Sequence, residues 1–122
     1  ALIVDGVKSA RPDVPIIGFA RGIGDRLEAY IRGTGVDAVG LDAAITPAEA
    51  AAKIQPICPV QGNLDPAYLM VGGAEMEEAA KEILDTLAGG PFVFNLAHGI
   101  HKDTPPAHVE RLAEIVRRWV AS

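Results

Sequence analysis

Sulfur is scarce in this chain. A single cysteine, Cys58, rules out an intrachain disulfide framework and fits a reducing compartment. There is no C-x-x-C, no H-E-x-x-H and no His-x-Cys, so a tight zinc site inside the chain is not expected. Serine is scarce as well: only Ser9 and Ser122 occur, and neither sits in a Gly-x-Ser-x-Gly elbow. Gly22-Ile23-Gly24 is too short for a dinucleotide fingerprint, and no phosphate-cradling loop of the G-x-x-x-x-G-K type is present. Basic charge is in the minority. Eleven Lys and Arg against 16 Asp and Glu give a net charge of −5, without the footprint that nucleic acid or an anionic membrane would require. No run approaches the ~20 apolar residues of a membrane span. Residues 1–6 (ALIVDG) carry neither the basic nor the long apolar region of a secretory signal, so a cytoplasmic location is expected. The first residue is Ala1 rather than Met, and the chain is expected to begin inside a longer protein.

What is there is globular. Hydrophobic residues make up 49% of the 122 and charged residues 22%, enough apolar material for a core. The pattern alternates strand and helix. Residues 1–10 read as the end of a helix, stopped before Arg11-Pro12 because a residue preceding proline avoids the α region. Residues 15–20 (PIIGFA), 37–42 (DAVGLD), 57–62 (ICPVQG) and 92–97 (FVFNLA) are short apolar runs bounded by turn signals, which suits strands buried on both faces. Pro59 weakens the third, since proline cannot donate to a ladder. Between them, a helix opens near Asp25 and runs to Gly33. Another starts at Thr46-Pro47, with Thr as N-cap and Pro in the first helical position. Asn63-Leu64-Asp65-Pro66 reads as a turn. A third helix covers residues 74–87 with Met76, Ala79, Ala80, Ile83 and Leu87 inward, ended by Gly89-Gly90. The last covers residues 106–120 with Val109, Leu112, Ile115, Val116 and Trp119 inward.

Such alternation implies a parallel sheet with right-handed crossovers. Four units are half of a (β/α)8 TIM barrel, which needs about 250 residues. A free-standing half would leave bare sheet edges. Missing partner sequence is therefore expected, from an earlier part of the chain or from another copy.

Ligands of parallel α/β folds bind beyond the C-terminal strand ends. That rule selects Arg21, Asp42, Gln61 with Asn63, and Asn95 with His98. His98 is the sharpest candidate, because a near-neutral imidazole directly after an apolar strand can move a proton or meet a carboxylate. Arg21 could clamp a carboxylate or pair with Asp42 to brace the mouth, and bracing is the favoured role. Asp65 reads as a turn and cap residue, Asp103-Thr104-Pro105-Pro106 as a helix start capped by Thr or Asp, and His101 and His108 as solvent-facing.

Phe94-Asn95-Leu96-Ala97-His98-Gly99-Ile100, followed by Asp103-Thr104-Pro105-Pro106, is similar to the C-terminal signature of uroporphyrinogen decarboxylases, F-N-L-G-H-G-I then D-T-P-P. Val39-Gly40-Leu41-Asp42 resembles the V-G-L-D strand of that family. Val60-Gln61-Gly62-Asn63-Leu64-Asp65-Pro66 resembles its Q-G-N-L-D-P segment, and Ile16-Ile17-Gly18-Phe19 the strand upstream. Two positions depart: Ala97 stands for the glycine before the histidine, and Ala43 for an aromatic residue frequent after V-G-L-D. The resemblance covers nearly the whole chain and implies that residues 1–122 are the C-terminal half of one barrel domain, supplying its last four β/α units. It further implies a homodimer, no metal or organic cofactor, and a tetrapyrrole substrate, uroporphyrinogen, whose four acetate side chains lose carbon dioxide to give coproporphyrinogen. Of the family's site residues only the histidine carries over, onto His98, as a substrate-binding group. The arginine-rich R-Q-A-G-R segment, the pyrrole-binding aspartate, the tyrosine and the Ser or Thr are not in this chain, so the catalytic residues are unknown and the chain alone is expected to be inactive. Two other readings stand beside this one. A cobamide-dependent methyltransferase on the same barrel would need zinc held by histidine and cysteines, whereas Cys58 is alone. A non-enzymatic half-barrel that binds a partner would need no chemistry at all.

Overall fold

Each strand forms where the chain offers a short apolar run, and the helices that open at Pro47, Pro66 and Pro106 form where a proline sets the first turn. The computed structural model describes residues 1–120. Helix α1 (Leu2–Ala10) stops before Arg11-Pro12 and leads to strand β1 (Ile17–Phe19). A short 3₁₀ turn opens helix α2 (Leu27–Thr34), and β2 is Ala38–Gly40. Thr46 caps α3 (Pro47–Glu49) as expected: its hydroxyl accepts the Glu49 N–H at 3.1 Å, with Pro47 in the first turn. The helix continues as a π-helical turn, Ala50–Ile54, closed by Gln55 N–H on the Ala50 carbonyl at 2.8 Å.

Strand β3 (Val60–Leu64) corrects the expected boundaries at both ends. It starts after Pro59, which has no N–H for the ladder. It also runs through Asn63 and Leu64, read above as a turn, because both pair with β4 (Phe92–Leu96) in the register Asn63↔Asn95 and Leu64↔Leu96. The helix start moves accordingly to Asp65, whose carboxylate accepts the Ala67 N–H at 2.9 Å and opens α4 (Pro66–Val71). Helix α5 (Gly73–Leu87) buries Met76, Ala80, Ile83 and Leu87 as expected, with Leu84 in addition and Ala79 only half-buried. Gly90 matters by closeness: a Cβ there would lie 2.9 Å from the Gln55 side-chain amide, which donates to the Leu87 carbonyl at 2.8 Å and so satisfies the end of α5.

All four strands are parallel and lie in the order β1-β2-β3-β4. The register sets two kinds of row across the sheet. Gly18, Val39, Val60 and Phe92 form one, on the helix-covered face, where Val39, Leu41, Val60 and Leu64 join Leu27, Ile31, Ile54, Leu69 and the inner stripe of α5 in one buried cluster. Phe19, Gly40, Gln61 and Val93 form the other, and that face is open: Ile17, Phe19 and Val93 are 50%, 47% and 54% exposed. Apolar side chains on both faces are what a barrel strand needs, and here only one face is covered.

Helix α6 (Pro106–Arg118) corrects the last expected stripe. It ends before Trp119, not at residue 120. Leu112 is its one buried residue, and Val109 is 41% exposed. It packs on α5 and α4, and no strand lies beyond β4 among the described residues. Thr104 and Asp103 do not cap it either. Thr104 turns inward, its Oγ1 donating to Met70 Sδ at 3.1 Å, and Pro105 with Pro106 makes the start.

Candidate functional site

The C-terminal strand ends gather the expected polar group at one rim, in unequal roles. Asp42 follows β2 and is half-buried. Its Oδ2 accepts the Gly22 N–H at 2.8 Å and its Oδ1 the Ala44 N–H at 2.6 Å. These two amides, Ala44 first, hold its carboxyl below the ordinary carboxylate range. Partial burial opposes them, while the nearby His98 and Arg21 charges act in the same direction. Asn63 is buried and both protons of its amide are used: it donates to the Asp42 carbonyl at 3.0 Å and to the Ile45 carbonyl at 2.7 Å. It braces the loop after β2. Arg21 is exposed and forms no ion pair among the described residues, so the expected bracing pair with Asp42 is not made; Asp42 holds the turn through the Gly22 backbone instead.

His98 stands two residues past the end of β4, half-buried. Its ring meets Phe19 edge-on, with centroids 6.2 Å apart and planes at 81°. Phe19 belongs to β1, at the opposite edge of the sheet. Strands lie about 4.8 Å apart, so the edges of a flat four-stranded sheet would be roughly 14 Å from each other. The contact joins the two edges of the sheet across its open face. That face encloses a concavity of about 550 Å³ lined by Ile17, Phe19, Gln61, Asn95, His98 and Ile100. Its lining mixes apolar side chains with Gln61, Asn95 and His98, a common make-up for a ligand site. Phe19 was not singled out from the sequence, although its alternation with Ile17 carried the signal.

The remaining candidates make local contacts. Asp65 is a cap, as expected. His101 is exposed, as expected, and its Nδ1 accepts the Asp103 N–H at 3.1 Å. His108 is not solvent-facing. It is half-buried, with Nδ1 2.7 Å from the Leu69 carbonyl; a carbonyl only accepts, so Nδ1 carries the proton. The ring fills the space over Gly72, where a Cβ would come within 2.6 Å of it. Asn95 is exposed, and its Oδ1 accepts the Leu96 N–H at 2.8 Å. Cys58 precedes β3, so it lies at the far end of the strands from His98, and burial pushes its thiol up. Among the described residues no three His, Cys, Asp or Glu side chains gather as metal donors.

The family model described as uroporphyrinogen decarboxylase (URO-D) matches residues 1–119. The chain belongs to the uroporphyrinogen decarboxylase family. It is 54% identical over 115 residues to a uroporphyrinogen decarboxylase of Rhodospirillum rubrum, covering 94% of this chain and 33% of that one. To that of Erythrobacter litoralis it is 54% identical over 119 residues, 98% of this chain and 35% of the relative. To that of Novosphingobium aromaticivorans it is 48% identical over 119 residues, with the same coverage of 98% and 35%. The chain thus spans about a third of the length of the curated relatives it matches. Within the family signature, Ala97 replaces glycine without strain. No residue other than glycine has positive φ among the described residues, and Ala97 is buried with its N–H on the Leu64 carbonyl at 2.8 Å. Ala43, in the place of the usual aromatic residue, is exposed. No helix is long and apolar enough to cross a membrane among the described residues.

Proposed function

We propose that this chain is the C-terminal part of a uroporphyrinogen decarboxylase, in which residues 1–122 supply the last four units of a (β/α)8 barrel. The whole protein then converts uroporphyrinogen to coproporphyrinogen by removing the carboxyl groups of its acetate side chains. The observation that carries this reading is identity of about half the residues with the Rhodospirillum and Erythrobacter enzymes across nearly the whole chain. The contact of Phe19 with His98 from edge to edge of the parallel sheet supports the barrel, and the open apolar face supports missing partner sequence.

The chemistry fits a protein without a redox or metal centre. Protonation of a pyrrole ring carbon makes a cationic electron sink. The C–C bond to the carboxylate breaks, its electron pair flows into the ring, and carbon dioxide leaves. A second proton then completes the methyl group. The protein must hold several carboxylates in place and stabilise a transient cation. His98 serves the first need: it is half-buried at the rim, its ring packed against Phe19, and an imidazole N–H there donates to a substrate carboxylate. The N-terminal part supplies the groups that stabilise the cation, and the whole protein is a homodimer. The methyltransferase reading gains no support from the geometry, because Cys58 and His98 sit at opposite strand ends.

The test is the full-length protein with uroporphyrinogen, followed by chromatography of the products. Stepwise loss of carboxyl groups ending in coproporphyrinogen is expected. An inert protein that carries stoichiometric zinc would overturn the reading in favour of the methyltransferase.

A further inference from the structure

The turn after β1 is held from outside itself. Residues Arg21 and Gly22 sit two and three positions past Phe19, whose ring touches His98. Gly22 is anchored by its N–H to the Asp42 carboxylate at 2.8 Å, and the loop that carries Asp42 is anchored in turn by Asn63. The Asp42 carboxylate therefore spends its two oxygens on backbone amides and none on a neighbouring cation, although Arg21 and His98 both lie within its electrostatic reach. The result is an exposed residue with a guanidinium that has no ion-pair partner among the described residues, at the same end of the strands as His98 and just beyond the residues that line the concavity. A guanidinium that neither braces nor caps is suited to a planar anion.

We propose that Arg21 is a second carboxylate-binding residue of the site, standing with His98, and that Asp42 is the positioning residue that holds it there through Gly22. This rests on the decarboxylase reading and deepens it: a substrate rich in carboxylates needs more than one cationic contact on this side of the mouth. Asp42 keeps the turn in place, and its charge is already satisfied by amides, so it does not compete with the substrate for Arg21.

The experiment is steady-state kinetics of the full-length protein on uroporphyrinogen, wild type against Arg21→Gln, Arg21→Lys, Asp42→Ala and the Arg21→Gln/Asp42→Ala double variant. Arg21→Gln should raise KM about 10-fold with kcat within about 2-fold, the split expected when uniform binding is lost. Arg21→Lys should recover most of the loss, since the charge is kept. Asp42→Ala should raise KM by a similar factor, and the double variant no further, because the two residues act as one unit. A purely bracing role for Arg21 would lower thermal stability and leave KM alone. Normal turnover with an unchanged KM in Arg21→Gln overturns the inference and spares the decarboxylase reading. Absence of turnover in the wild type overturns both. If Asp42→Ala does not fold, the two Arg21 variants still decide the binding role.

Discussion

His98 and Asp42 show how differently two residues chosen by one rule can be used. Both follow a strand end, yet Asp42 is engaged by backbone amides, whereas the ring of His98 packs edge-on against Phe19. His98→Asn in the full-length protein keeps much of the size and removes the titratable ring. With His98 as a carboxylate-binding group, KM should rise with a smaller change in kcat. A proton relay would instead lower kcat by ~10²–10⁴-fold. Steady-state kinetics separate the two, and unchanged values of both would remove His98 from the site. Asp42 makes a pH prediction. Its folded-state carboxyl titrates below the ordinary range, so its contribution to stability is fully present above the unfolded value and is lost as pH falls through the folded one. Below about pH 4 the wild type should lose stability more steeply than Asp42→Asn, as read by thermal melts across a pH series. Parallel slopes would contradict the amide anchoring.

At the scale of elements, what was legible in the sequence was what local chemistry decides. The Thr46-Pro47 helix start, the inner stripe of α5 and the stop before Arg11-Pro12 all follow from one or two residues and a period. The misread boundaries depended on distant partners. Asn63-Leu64 looks like a turn beside Asp65-Pro66 and becomes strand because β4 lies alongside it. Thr104 looks like a cap and instead reaches Met70, far along the chain. His108 looked solvent-facing because the Leu69 carbonyl that holds it comes from α4. The rim group was legible as a set, while the division of labour inside it was not, since the bonds of Asn63 to the loop after β2 have no signature in sequence spacing. The periodicity of α6 puts Val109 inward with Leu112, yet Val109 is exposed, because the sequence period does not say what packs against a helix. This makes a prediction at the same scale. Val109→Asp should cost little in the isolated chain, within about 0.5 kcal/mol, as for most surface changes. In the full-length protein, where barrel closure would bury that side of α6, it should cost about 2 kcal/mol or more by denaturant unfolding. Equal small effects in both would mean that nothing covers this flank.

At the scale of the molecule, the decisive facts are a sheet with two unpaired edges among the described residues and one uncovered, partly apolar face. Open edges and exposed apolar side chains promote association. Light scattering of the purified 122-residue chain should therefore show dimers, larger assemblies or capture of the N-terminal part when that part is supplied. A clean, stable monomer would contradict the half-barrel account. The same incompleteness bears on activity. His98 and the rim are here, but the groups that stabilise a pyrrole cation are expected in the remaining two-thirds of the relatives' length. The most direct test of the central claim is a side-by-side assay of the full-length protein and the isolated chain with uroporphyrinogen, with coproporphyrinogen measured by chromatography. The account predicts turnover by the full-length protein and none by the isolated chain. Comparable turnover by the isolated chain, or none by the full-length protein, would contradict it.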